Sequence, residues 1–165
     1  MARVAHTAGL VGSWSRSDMR GHFSSVLTAK QAASLAADVG YLDFTDHRLG
    51  DLITKVRSVF PSASIDAPAY ARVEQRKQGH PWHFDTGTKG HMPWVRYTAG
   101  VLLVPADTFG GGGFYFRDAP EEPLFPYLDL NTWDGAPENE HCVASNSGER
   151  VVLLMFFRGE DYGGS

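Results

Sequence analysis

The run Val151-Val152-Leu153-Leu154-Met155-Phe156-Phe157 constrains the fold more than any other part of the chain. A half-buried strand alternates apolar and polar side chains. This run is apolar at both parities, so both of its faces must meet protein. It is expected at the centre of a sheet sandwiched between two layers. Between it and Pro61, glycines and prolines punctuate short apolar or aromatic runs, none long and periodic enough for a helix. Strands are expected near Tyr70 to Gln75, His83 to Asp85, Arg96 to Val104, Phe114 to Phe116, Leu124 to Leu130, His141 to Ala144 and Val151 to Phe157.

Before Pro61 the apolar period changes to that of a helix. Thr28-Ala29-Lys30-Gln31 has the form of a capping box, in which Thr28 caps the helix and Gln31 reaches back. Ala32, Leu35 and Ala36 give this helix its stripe, and Gly40 is placed to stop it. A second helix is expected over Leu49, Leu52, Ile53, Val56 and Phe60, with Asp46 as cap and Pro61 as terminator. A short strand from His22 to Leu27 precedes the first helix. Residues 1–21 show no periodicity and suit a loose arm or a late-added strand.

A chain of 165 residues, 42% hydrophobic, supports one sizeable core. The expected architecture is therefore a single domain over 1–165, mainly β with flanking helices. Its core, about 70–157, is a double-stranded β-helix of jelly-roll, cupin-like form, and two N-terminal support helices within 22–60 pack outside one sheet.

Lys and Arg total 15 against 19 Asp and Glu, for a net charge of -4, and no basic block occurs. Duplex binding needs clustered positive charge, so nucleic acid is not an expected partner. Met1 to Gly21 builds no apolar signal core, and no stretch reaches the length of a membrane span, so no membrane partner is expected. Cys142 stands alone, which fits a reducing compartment, and the expected location is cytoplasmic. Nothing in these features fixes the oligomeric state.

The chemistry-bearing residues lie in the C-terminal half. In a strand, His83 and Asp85 point to one face and Phe84 to the other. Such a pair is common by chance, and taken alone it reads equally as a hydrogen bond on a sheet surface. His141 lies just before the last apolar strand, and a return strand beside the first would bring it to that pair. Arg150 opens the last strand and shares a face with Val152, Leu154 and Phe156. A guanidinium aimed into an apolar barrel needs an anion. None is encoded next to it on its own strand face, since Glu149 should point away; a salt bridge to Glu149 or Glu140 is the plainer alternative. Two imidazoles and one carboxylate suit a ferrous ion with open positions, and an arginine fork suits a carboxylate beside it.

From Tyr70 to Phe157 the sequence resembles the iron(II)- and 2-oxoglutarate-dependent dioxygenase superfamily, and within it the prolyl 4-hydroxylase-like branch. The resemblance rests on His83-Phe84-Asp85, Arg96-Tyr97-Thr98 leading into Val101-Leu102-Leu103-Val104, Gly112-Gly113 followed by Phe116, His141-Cys142-Val143, and Gly148-Glu149-Arg150. It implies that His83, Asp85 and His141 ligate Fe(II) and that Arg150 holds the far carboxylate of 2-oxoglutarate. It also implies dioxygen as oxidant, with ascorbate as an accessory reductant. Related enzymes often use a nearby tyrosine to hydrogen-bond the cosubstrate. Val73 to Gln75 and Leu102 to Val104 supply none, which leaves Tyr97 and Tyr70 as candidates. The implied reaction is hydroxylation of an unactivated C–H, first of a prolyl residue in a peptide or protein, alternatively of a free amino acid or other small molecule. From a different class, a non-catalytic metal-binding jelly roll would use the same three ligands.

Other features read more plainly. Phe114, Phe116, Phe156 and Val143 are apolar enough to wall a site, and Trp94, Arg96 and Trp133 are candidate substrate contacts. His80 is expected at an exposed mouth, His91 in an exposed loop, and His6, His22 and His47 in surface or packing roles. Thr86 to Val95 would form a lid loop. Gly110 to Gly113 is a tight turn, since neither the Lys-Ser/Thr nor the helix of a phosphate loop follows it.

Overall fold

The computed structural model describes residues 20–85, 92–120 and 126–160. Strand β1 (Arg20–Phe23) leads to helix α1 (Ala29–Ala36), strand β2 (Gly40–Leu42) and helix α2 (Gly50–Val59). The remaining strands are β3 (Ala63–Ser64), β4 (Tyr70–Gln75), β5 (His80–His83), β6 (Val95–Leu102), β7 (Phe109–Gly111) and β8 (Phe114–Phe116). They continue as β9 (Leu130–Asp134), β10 (His141–Val143), β11 (Asn146–Gly148) and β12 (Val151–Gly159).

The capping box closes as the sequence implies. Thr28 Oγ1 accepts from the Gln31 amide at 3.1 Å, and Gln31 Oε1 accepts from the Thr28 amide at 2.8 Å. The helix ends at Ala36, before Gly40, whose φ of +131° opens β2 instead. The second helix begins with a 3-10 turn, His47–Leu49, in which Asp46 Oδ1 accepts from the Arg48 amide at 2.9 Å. Its α-helical part ends at Val59, with Phe60 as the C-cap immediately before Pro61.

Seven strands form the larger sheet in the order β1-β9-β6-β12-β4-β2, with β3 also paired to β12. All of the ladders are antiparallel, and β12 runs between β6 and β4, central as its two-faced apolarity demands. Leu153, Met155 and Phe157 face α1 and α2, joining Leu35, Leu52 and Val56 in one buried cluster. Burying each such side chain stabilises the fold by about 1.5–3 kcal/mol. The opposite parity, Val152, Leu154 and Phe156, faces a second layer made of β5, β10 and β8. This is a double-stranded β-helix with two helices supporting its larger sheet. Among the described residues no helix is long and apolar enough to cross a membrane.

Three strand expectations are corrected. The strand expected over His83 to Asp85 is His80–His83, and Asp85 lies past its end in a bend. Of the strand expected over Leu124 to Leu130, residues 124–125 lie outside the described residues. Residues 126–129 make only a bridge at Tyr127, and the strand starts at Leu130. The early strand is Arg20–Phe23, on the sheet edge beside β9. In both of the last two places pairing with a neighbour, rather than local apolarity, sets the boundary.

Candidate functional site

β5 and β10 are antiparallel neighbours in the smaller sheet, and their register places His141 directly opposite His83. The bend after β5 turns Asp85 back towards them. His83 Nε2 lies 3.6 Å and His141 Nε2 3.4 Å from Asp85 Oδ1, and the three donor atoms all fall within 4.8 Å of one another. Neighbouring donors bound to one ion at about 2.1 Å sit roughly 3 Å apart, so the trio is close to ligating geometry.

The backbone fixes which nitrogen each ring offers. His83 Nδ1 is 2.7 Å from the Pro81 carbonyl oxygen, and His141 Nδ1 is 2.8 Å from that of Asn139. A carbonyl only accepts, so each ring carries its proton on Nδ1 and directs the Nε2 lone pair inward. Trp133 Nε1 donates to Asp85 Oδ2 at 2.9 Å, leaving Oδ1 for the centre. Burial works to raise the Asp85 carboxyl; when His141 and His83 are also protonated on Nε2, their hydrogen bonds and charge outweigh it and hold the carboxyl well below the usual carboxylate range. His141 is buried and stacks on Phe114 with ring centroids 4.8 Å apart.

The trio opens into a cavity of about 440 Å³ between the two sheets. Arg150 lines it on the same face as Val152, Leu154 and Phe156, as the period of two requires. The arginine is buried, and burial lowers its pKa against a weaker raising influence of Glu74. Its guanidinium has no hydrogen-bond or ion-pair partner among the described residues. The alternative partner Glu140 is engaged elsewhere, with Arg117 at 2.9 Å. A buried guanidinium of this kind could hold an anion in the cavity.

Gly112 makes room for it. A Cβ there would lie 2.7 Å from Arg150 Cδ, and φ is +73°. Gly112→Ala is therefore expected to cost about 1–3 kcal/mol of stability through the left-handed backbone and to push Arg150 aside. Chemical denaturation measures the first effect, and a titration with dicarboxylates should show weaker binding for the second.

The other expected residues divide. Tyr70 and Trp94 line the cavity with ring centroids 5.7 Å apart, and Phe114, Phe156 and Val143 also line it. Phe116 stands behind His141, packed in the cluster with Trp133 and Val152. Trp133 lines the cavity too, but its indole donates to Asp85, so it holds that carboxylate in place rather than standing free for a substrate.

Tyr97 is a correction. On β6 its neighbour Thr98 takes the cavity face, so Tyr97 points to the helices, stacked on Phe60 and hydrogen-bonded to Ser62. Arg96 is also corrected: it is exposed, the extra residue of a bulge on β6 opposite Phe157 and Arg158, and does not line the cavity. His80 is half-buried rather than exposed, with its ring centroid 3.7 Å from that of His83. Burial, followed by the charges of His83 and Arg76, pushes its pKa down to about 4.

His22 binds Asp129 at 2.8 Å, and His47 is exposed. His6 and His91 lie outside the described residues, as does 86–91 of the expected lid loop. Sequence reasoning passed over Thr98, Arg72, Glu74 and the carbonyls of Pro81 and Asn139. The period of two along β4 and β6 was the one signal for the first three; nothing in sequence marks a carbonyl.

No family model matches the sequence, and no curated protein sequence matches it. Solved structures do. A viral collagen prolyl hydroxylase from Paramecium Bursaria Chlorella virus-1, in complex with 2OG, superposes with a TM-score of 0.62 at 15% identity, covering 86% of this chain and 96% of that one. A Pseudomonas putida prolyl-4-hydroxylase gives 0.60 at 16% identity, covering 85% and 88%. A Trichoplax adhaerens prolyl hydroxylase, in complex with a hypoxia inducible factor peptide fragment, gives 0.59 at 12% identity, covering 87% and 85%. At such identities the likeness is one of fold, and it establishes that this chain has the double-stranded β-helix architecture of those prolyl hydroxylases.

Proposed function

We propose that this chain is an iron(II)- and 2-oxoglutarate-dependent dioxygenase that hydroxylates an unactivated C–H, with a prolyl residue of a peptide or protein as the preferred target. The observation that carries the reading is the conjunction in one cavity of His83, Asp85 and His141 with the buried, anion-seeking Arg150. Either half alone has an ordinary structural explanation. Together they match the needs of a metal with open positions and a dicarboxylate chelated to it.

The donor set fits the metal. Two neutral imidazoles and one ionised carboxylate occupy one side and leave the cavity side open. When bound, iron and 2-oxoglutarate supply the oxidising chemistry, in which dioxygen gives one atom to the substrate C–H and one to succinate as carbon dioxide leaves. The chain's own contribution is placement. Pro81, Asn139 and Trp133 hold the ligands in register. Arg150 takes the far carboxylate through its planar fork, and Thr98 offers a hydroxyl from the same wall. Phe114, Val152, Leu154 and Phe156 keep bulk water from the reacting centre.

A prolyl substrate is supported by the fold shared with prolyl hydroxylases and by the cavity wall, where Tyr70, Trp94 and Phe156 offer apolar faces to a pyrrolidine ring. The solved Trichoplax neighbour holds a peptide. At this mouth, Tyr41 and Phe84 are exposed large apolar residues, which favours contact with a partner larger than the cavity. A free amino acid or other small molecule is the second substrate class.

The test is uncoupled turnover. Purified protein given iron(II), 2-oxoglutarate and oxygen should form succinate, and prolyl peptides should accelerate it. A metal-binding jelly roll without catalysis would bind iron and form none.

A further inference from the structure

Arg72 and Glu74 project from β4 into the same cavity, and neither the metal centre nor Arg150 requires them. Arg72 Nη2 lies 3.1 Å from Glu74 Oε2, while its Nε is buried with no hydrogen-bond partner among the described residues. The guanidinium sits 5.2 Å from the Phe156 ring centroid, which holds it along the cavity wall. A structural salt bridge in a wall ordinarily satisfies its buried donors, whereas this one leaves Nε unpaired among the described residues, and 29% of the side chain stays exposed where it lines the cavity.

Position separates Arg72 from the dicarboxylate clamp. Across the ladder Arg72 pairs with Leu154, which lies four residues beyond Arg150 on β12, roughly 13 Å along the strand. On its other side Arg72 pairs with Tyr41 on the exposed edge strand, so it stands between the clamp and the mouth.

Charge supports the same assignment. Outside the ligand trio, the charged residues described as lining the cavity are Arg72, Arg76 and Arg150 against Glu74. A divalent metal on Asp85 and a dianion on Arg150 leave one positive charge in excess, towards the mouth. Arg76 is tied to its own turn through the Gln78 and Gly79 carbonyls. Arg72 is therefore the mouth-side guanidinium, partly exposed on the wall, whose donors the described residues leave incompletely paired.

The geometry points to Arg72 as a specificity-determining residue that receives a carboxylate of the substrate while the substrate's apolar body lies against Tyr70, Trp94 and Phe156. Glu74 orients the fork. This assignment rests on the hydroxylase reading above. The carboxylate has two sources of the same chemistry, the α-carboxylate of a free or C-terminal residue and an acidic side chain beside the target in a peptide.

Calorimetric titration of the wild-type chain, with manganese(II) in place of iron to prevent turnover, separates the cases. 2-Oxoglutarate is titrated first, then two matched pairs in its presence: L-proline against L-prolinamide, and N-acetyl-Pro-Asp-amide against N-acetyl-Pro-Asn-amide. The acid of at least one pair should bind about tenfold or more tightly than its neutral partner, as expected for a charge-assisted hydrogen bond. The first pair identifies an α-carboxylate and the second an acidic side chain. Arg72→Gln should erase the preference. Equal binding within both pairs, binding by none of the four, or a preference that survives in folded Arg72→Gln overturns the assignment. The wild-type comparison decides even if that variant does not fold. If 2-oxoglutarate itself fails to bind, the hydroxylase reading falls and this one with it; if it binds without discrimination between acids and amides, only this one falls.

Discussion

Truncation of His141 to alanine is expected to abolish metal binding and, with it, formation of succinate from 2-oxoglutarate. The ring offers a single inward lone pair, on Nε2, because the Asn139 carbonyl occupies Nδ1. Among the described residues the nearest other imidazole is His80, which sits beside His83 rather than across the centre. Loss of a group that merely orients a ligand typically costs 10–100-fold in metal affinity, so loss of a ligand should cost at least about 100-fold. His141 is also packed against Phe114 and Trp133, and removing the ring should cost stability of about 1–3 kcal/mol. His83→Ala separates the two effects. That ring is partly exposed, so the variant should lose metal to the same extent with a smaller fall in Tm. Metal content after dialysis, succinate by NMR and thermal melts measure all three. A His141→Ala protein that keeps wild-type metal content would remove the proposed centre.

Arg150→Met should act in opposite directions on stability and on cosubstrate binding. In the ligand-free chain the guanidinium is buried without an ion-pair partner among the described residues, and burial already depresses its pKa. Replacing such a charge by an apolar side chain of similar length is neutral or stabilising, by about 1–4 kcal/mol in comparable cases. The same change removes the partner for a buried carboxylate, a loss of about 2–5 kcal/mol, which raises the 2-oxoglutarate requirement by roughly 30-fold or more. The variant should therefore melt no lower than wild type without ligand, and 2-oxoglutarate should no longer raise its Tm. Metal binding should persist, because Arg150 supplies no ligand. A wild-type response to 2-oxoglutarate in this variant would separate Arg150 from the cosubstrate.

The sequence by itself determined the elements whose signal is local. Apolarity at both parities placed β12 at the sheet centre, Thr28 and Gln31 closed their capping box, and alternation along β12 put Arg150 on the cavity face. The bounds of β4 and β8 were legible for the same reason: period and punctuation are properties of neighbouring residues. The grouping of His83, Asp85 and His141 was legible only as a conjunction, and the β5 to β10 register made it a geometry.

Tertiary structure alone decided the phase and the long-range partners. Tyr97 and Thr98 are both acceptable on either face of β6, and pairing with β12 and β9 chose Thr98 for the cavity. The short strands β2, β3, β7 and β11 exist because a neighbour offers them a ladder, not because their residues favour one. Trp133 meets Asp85 across 48 positions of sequence, and Arg72 takes its meaning from Glu74, Phe156 and an open cavity. A side chain's periodicity is written in the residues beside it, whereas its partner is fixed by which strands pair and in what register.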